Sequence, residues 1–119
     1  GDFASVSGGV SNLASGAHAS VSGGWASIAS GTAASVSGGD TNRSTGRCSS
    51  VSGGAMNTAS NESSSLSGGV INTASGKYSS VSGGWTNTAS GDYSAIGGGY
   101  TRSVSGIYDW MAGALFEDQ

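Results

Sequence analysis

One aliphatic residue recurs every fifteen positions along the chain: Val6, Val21, Val36, Val51, Leu66, Val81 and Ile96. Each is flanked by small residues, almost always serine, and this small–large–small alternation is the period of a β-strand. A double glycine follows each time. A second alternating stretch comes next, reading Asn-Thr-Ala-Ser in Asn57–Ser60, Asn72–Ser75 and Asn87–Ser90. Seven copies of this fifteen-residue unit run without insertion or deletion, the first Ala4–His18 and the last Ser94–Tyr108. The pattern predicts strand, glycine corner, strand, glycine corner in every copy. A strict short period means one structural turn per copy, stacked along an axis. The expected fold is all-β: a parallel β-solenoid of seven 15-residue coils, each strand pairing with its equivalent about 4.8 Å away in the next coil.

With the unit numbered from Ala4, position three is the expected core: Val6, Val21, Val36, Val51, Leu66, Val81 and Ile96. Alanines at position eleven (Ala14, Ala29, Ala59, Ala74, Ala89) join it. Positions five and six are the turn glycines Gly8 and Gly9, Gly23 and Gly24, Gly38 and Gly39, Gly53 and Gly54, Gly68 and Gly69, Gly83 and Gly84, Gly98 and Gly99. A glycine pair marks a place where the backbone needs positive φ or close approach. Position thirteen is glycine in six copies and Asn61 in the fourth. Asn is the residue that best tolerates a left-handed backbone after Gly, so this position is expected to be left-handed. Asn42, Asn57, Asn72 and Asn87 at position nine predict an amide ladder beside a turn. Tyr78, Tyr93 and Tyr108 at position fifteen predict a stacked aromatic ladder.

Residues 1–3 read as the cut end of a preceding coil and residues 4–108 as the seven-coil rod. Residues 109–119 concentrate Trp110, Met111, Leu115 and Phe116 and break the pattern. They are expected to cap the rod or lead into another element, with a short helical turn at Met111–Phe116.

Composition alone, with 23 glycines and no proline, would suggest a flexible linker. The fixed phase of the aliphatics argues against that, because a linker has no reason to keep one. The negative surplus behind the net charge of −3 comes from Asp2, Asp109, Glu117 and Asp118 at the ends. Between them Asp40, Glu62 and Asp92 face Arg43, Arg47, Lys77 and Arg102, so the rod is near neutral. It carries no basic footprint for nucleic acid and no apolar run of membrane-spanning length. The one cysteine, Cys48, excludes an intrachain disulfide.

Each copy offers one Val-sized and one Ala side chain to its interior. Burying the first is worth about 1.5–3 kcal/mol, little against the entropy of ordering fifteen residues. The serines at positions two and four face away from the aliphatic, and small hydroxyls let another backbone come close. Side-by-side assembly is therefore expected, with the number of subunits left open by the residues themselves.

Catalytic chemistry finds little support. His18 is the one histidine, and no acid repeats near it. No Lys follows the glycine pairs and no helix opens there, so they are not phosphate loops. Asp40 stands alone in its column, whereas the calcium-binding solenoid repeat needs a recurrent Asp. One unaccompanied histidine, His18, reads as a polar surface residue and not as a metal site. No enzyme activity, catalytic residue, cofactor or metal is expected. Position seven varies most: Val10, Trp25, Asp40, Ala55, Val70, Trp85, Tyr100. A strand interior would not accept Asp and Trp alike, so the column is expected to face solvent. Trp25, Asp40, Trp85 and Tyr100 are the candidate ligand contacts; the competing role is to shield the glycine corner beneath. Thr58, Thr73 and Thr88 align as a short ladder, which raises recognition of a flat surface of the ice-binding kind.

The phrase S-V-S-G-G … N-T-A-S-G resembles the head repeats of YadA-like trimeric autotransporter adhesins, which read S-V-A-I-G … A-x-G and usually run one residue shorter. Val6, Val21 and their equivalents match the family's Val. Ser7 and Ser22 stand where it has Ala, and Gly8 and Gly23 where it has Ile; Ser94-Ala95-Ile96-Gly97 comes nearest its spelling. The resemblance covers residues 4–108. It implies a left-handed parallel β-roll assembled as a homotrimer on the outer surface of a Gram-negative bacterium, its anchor outside this segment. It also implies attachment to host cells, extracellular matrix or other bacteria, with a host surface or matrix protein as partner. The alternative is a structural spacer or phage tail-fibre shaft without a ligand of its own.

Overall fold

The computed structural model describes residues 1–112. In chain order its strands are β1 (Ser5–Val6), β2 (Leu13–Ala14), β3 (Ser20–Val21), β4 (Ile28–Ala29), β5 (Ser35–Val36), β6 (Arg43–Ser44), β7 (Ser50–Val51), β8 (Thr58–Ala59), β9 (Ser65–Leu66), β10 (Thr73–Ala74), β11 (Ser80–Val81), β12 (Thr88–Ala89), β13 (Ala95–Gly98), β14 (Ser103–Val104) and β15 (Trp110–Ala112). The odd-numbered strands form one eight-stranded parallel sheet and the even-numbered strands a seven-stranded one. Pairing is between residues fifteen apart, as in Ser20↔Ser35 and Thr73↔Thr88. A third line of parallel bridges joins position seven of successive coils, from Val10↔Trp25 to Trp85↔Tyr100. The repeat therefore folds as a β-solenoid of about seven turns, one per sequence copy.

The strands are short because the chain turns twice per coil, and both corners use a left-handed residue. These are position eight (Ser11, Ala26, Thr41, Met56, Ile71, Thr86, Thr101) and position fifteen (Phe3, His18, Ala33, Cys48, Ser63, Tyr78, Tyr93, Tyr108), with φ between 50° and 64°. The left-handed turn reverses the direction of the amide. In the third copy the N–H groups of Ser35, Ser37, Asp40, Arg43 and Thr45 donate forward to the following coil at 2.8–3.0 Å. Those of Thr41 and Cys48 donate backward to the carbonyls of Trp25 and Thr32, both at 2.8 Å. Each corner is thereby tied to the coils on both sides.

The glycines correct the expectation. In the first six glycine pairs the second member has positive φ, from 84° at Gly9 to 97° at Gly24, and the first does not. Position thirteen is not left-handed at all, and neither is Asn61. Gly16, Gly31, Gly46, Gly76 and Gly91 are buried there, and a Cβ would collide with backbone of the equivalent residue one coil on. Close approach, not backbone hand, selects glycine at this place. Each of these glycines shares a carbonyl of the next coil at 3.2–3.4 Å. At Asn61 that bond is absent and the amide turns to Ser64 Oγ at 3.2 Å, while the side chain bonds Ser75 O and the Glu62 N–H. The side chain is accommodated by local rearrangement.

The interior is more polar than expected. Val21, Val36, Val51, Leu66, Val81 and Ile96 are buried, with Ala29, Ala59, Ala74, Ala89 and Val104 opposite them. Val6 departs from the core assignment: its coil has a neighbour on one side only, and it is 46% exposed. Position nine points inward too, and Asn42, Asn57, Asn72 and Asn87 are fully buried. Each amide is satisfied by three bonds. Asn57 Nδ2 donates to Gly53 O at 3.0 Å in its own coil and to Gly69 O at 2.9 Å in the next; its Oδ1 accepts the Asn72 N–H at 2.9 Å. Position one supplies Ser49, Ser64, Ser79 and Ser94, whose hydroxyls bond the preceding corner carbonyl at 2.6–2.8 Å. The accessible surface, 5954 Å², is close to the roughly 5,800 Å² of a compact monomer of this mass. Amides supply the burial that the aliphatics lack.

At the ends, Gly1–Phe3 occupy corner positions thirteen to fifteen of a further coil: the His18 N–H donates to Asp2 O at 2.8 Å, and Phe3 stacks on His18. At the other end the pairing runs past Tyr108. Trp110 and Met111 keep the fifteen-residue register on β13, and a shift follows before Ala112. The helical turn expected from Met111 therefore does not form at Met111 and Ala112, which are strand; residues 113–116 lie outside the described ones.

Candidate functional site

The solenoid has two outer faces and two corner ridges. The face of the odd-numbered sheet carries positions two and four. From Ser5 to Gly97 nothing on it exceeds serine in size and nothing is charged. The face of the even-numbered sheet is mixed at position ten: Leu13, Ile28, Arg43, Thr58, Thr73, Thr88, Ser103. The Thr ladder is half-buried and three coils long.

The ridge of positions seven and eight holds the predicted contacts. Trp25, Trp85 and Tyr100 are 55%, 53% and 63% exposed. Asp40 is exposed and accepts the Thr41 hydroxyl at 2.6 Å. The four do not form one cluster. Trp25 and Asp40 are neighbours in the bridge ladder, as are Trp85 and Tyr100, with Ala55 and Val70 between the pairs. Trp85 meets Tyr100 edge to face, centroids 5.4 Å apart and planes at 77°. Val70 is exposed on the same ridge, as its column was expected to be, though it was not among the candidate contacts; sequence reasoning missed Met56 and Ile71, which are exposed there too. Their signal was present in the fourth and fifth copies, where positions seven and eight read Ala-Met and Val-Ile.

The opposite ridge, positions fourteen and fifteen, is of another kind. Tyr78, Tyr93 and Tyr108 stack with centroids 5.1 Å apart, as the spacing predicted. Beside them Arg47, Glu62, Lys77 and Asp92 alternate in charge. Arg47 pairs with Glu62 at 3.1 Å, and Asp92 Oδ1 accepts the Lys77 N–H at 2.9 Å. Cys48 and His18 are exposed in the tyrosine column. Among the described residues, no group of three or more His, Cys, Asp or Glu side chains is placed to hold a metal, and no helix is long and apolar enough to cross a membrane. What the surface offers is aromatic rings, hydroxyls and few charges, the chemistry of contact. No family model matches the chain, and no curated protein is significantly similar to it.

Proposed function

We propose that the chain is an adhesive head segment: a surface rod, left-handed and homotrimeric, of the trimeric autotransporter kind, displayed on a Gram-negative outer membrane and binding host cells, matrix or other bacteria. The observation that carries this reading is the division of labour on the surface. One sheet presents an uncharged face of residues no larger than serine, suited to packing three chains about an axis. The ridge beside it holds Trp25, Trp85 and Tyr100 with more than half their surface in water. Three copies of such a ridge multiply weak contacts by avidity. No catalytic role is proposed.

The test is attachment of the purified rod to cells, matrix proteins and sister rods, with and without Trp25→Ala, Trp85→Ala and Tyr100→Ala together. Loss of attachment in the triple variant supports adhesion. Unchanged attachment, or none in the parent, favours a spacer or fibre shaft, a role that the stacked tyrosines and the amide ladder would serve equally well.

A further inference from the structure

We propose that the apolar half of the corner ridge, Met56, Val70, Ile71, Trp85 and Tyr100, is a binding track for a neutral glycan, an extended chain of uncharged pyranose units lying along the rod. This rests on the adhesive reading and narrows it to a ligand class. The five side chains occupy consecutive coils, linked by the bridges Ala55↔Val70, Val70↔Trp85 and Trp85↔Tyr100, and are 37–63% exposed.

Local backbone physics does not explain Met56 and Ile71, the two of the five at position eight. Met56, Ile71, Thr86 and Thr101 hold φ of 54–58°, where Gly or Asn is the favoured residue and a β-branched side chain an outlier. Ile71 gains no burial in return, being 42% exposed. A residue kept against its own backbone preference, with its side chain in water, points to something outside the chain.

Three features select the ligand. Charge comes first: positions seven and eight of these coils carry no charged side chain, whereas Glu62, Lys77 and Asp92 of the same coils stand on the opposite ridge. That suits a neutral polymer and not a polyanion. Ring geometry comes second. Tyr93 has a stacked neighbour on each side, but Trp85 and Tyr100 meet edge to face, an arrangement in which one ring's faces are not covered by its partner and can meet the C–H face of a sugar. Thr58, Thr73 and Thr88, two positions further along the chain, offer hydroxyls beside the track. Size comes third. At about 150–250 Å² per large side chain the track exposes on the order of 500 Å², less than the roughly 800 Å² per partner of a stable protein interface. A slender ligand fits that area, and the coil rise of about 4.8 Å is close to the step of one pyranose in an extended chain.

The experiment measures depletion of the full chain from solution by insoluble cellulose and chitin, and the shift of tryptophan emission on adding a soluble mixed-linkage β-glucan. Retention on at least one of the three polymers is expected, falling tenfold or more in Trp85→Ala and in Tyr100→Ala and unchanged in Tyr93→Ala. Ile71→Asn is expected to weaken retention while the melting temperature stays level or rises, a combination that a purely structural role for Ile71 would not give. No retention on any of them, or retention indifferent to Trp85→Ala, overturns the proposal. Attachment to protein-coated surfaces or lipid vesicles that is lost in Trp85→Ala, without glycan retention, overturns the ligand class and leaves the adhesive reading standing. Attachment to nothing overturns both.

Discussion

At the residue scale the informative position is nine. A buried Asn is costly unless every polar atom is paired. Here each ladder amide closes two glycine carbonyls and one backbone N–H, so the side chain does for the corner what a strand partner does elsewhere. Replacing Asn57 by Ala would leave Gly53 O and the Asn72 N–H unpaired and Gly69 O with the Ala55 N–H alone. The expected loss is about 2–4 kcal/mol, or roughly 10 °C in melting temperature, read by thermal denaturation. The second copy supplies the reverse test. Ser27 stands in the ladder there, and its hydroxyl makes only long contacts, 3.4 Å to Trp25 O and 3.3 Å from the Asn42 N–H. Ser27→Asn should complete the ladder and stabilise by about 1 kcal/mol, a rise of a few degrees. The sequence marked the column of Asn residues as a structural ladder but not its inward direction, since an amide every fifteen residues reads the same inside or outside a turn. The left-handed corners at positions eight and fifteen were not legible at all. The backward amide bonds to the preceding coil set that conformation, and the residues in these columns do not follow its usual preference for Gly or Asn: Ile71 and Tyr78 are poor residues for it.

At the element scale each coil is held by ladders running across it, and the two ridges use different ones. Among the described residues Tyr93 stacks on Tyr78 and on Tyr108, whereas Tyr108 stacks only on Tyr93. Aromatic pairs contribute about 0.5–1.5 kcal/mol each beyond area. Tyr93→Ala should therefore destabilise by about 1–3 kcal/mol and Tyr108→Ala by about half of that. Near-ultraviolet circular dichroism would follow the loss of ring coupling, and equal effects from the two variants would refute a stacked ladder. The neighbouring Arg47–Glu62 pair has 66% and 34% of its side-chain surface exposed and contributes much less, as exposed pairs do. This ladder was visible in the sequence because position fifteen repeats one aromatic three times. The strand at Trp110–Ala112 was hidden, because Trp110 far exceeds the serine or alanine at the equivalent places before it; only the register of fifteen gives it away.

At the scale of the whole molecule the question is why a rod of this sequence should associate. The expectation of assembly began from too small a core. The buried amides remove that reason, because the surface of 5954 Å² is already that of a compact chain of 11.4 kDa. What remains is the serine face. A flat, uncharged strip with no large side chain has no evident use in a solitary rod, but it lets a second backbone approach to the spacing of packed sheets, about 10 Å. If that face is the contact, a long charged side chain at its centre should separate the subunits and leave each coil intact. Ser52→Arg places one on the exposed column of the odd-numbered sheet. Thr73→Arg places one on the even-numbered sheet, where Arg43 already occupies the same column and shows that arginine fits. Light scattering should give three times 11.4 kDa for the parent chain and for Thr73→Arg. Ser52→Arg should give the single mass, with its far-ultraviolet spectrum and cooperative melting retained because the monomer's interior is complete. The opposite pairing of results would move the contact to the even-numbered sheet. A single mass for the parent would remove the trimer, and with it the avidity on which weak, repeated surface binding depends.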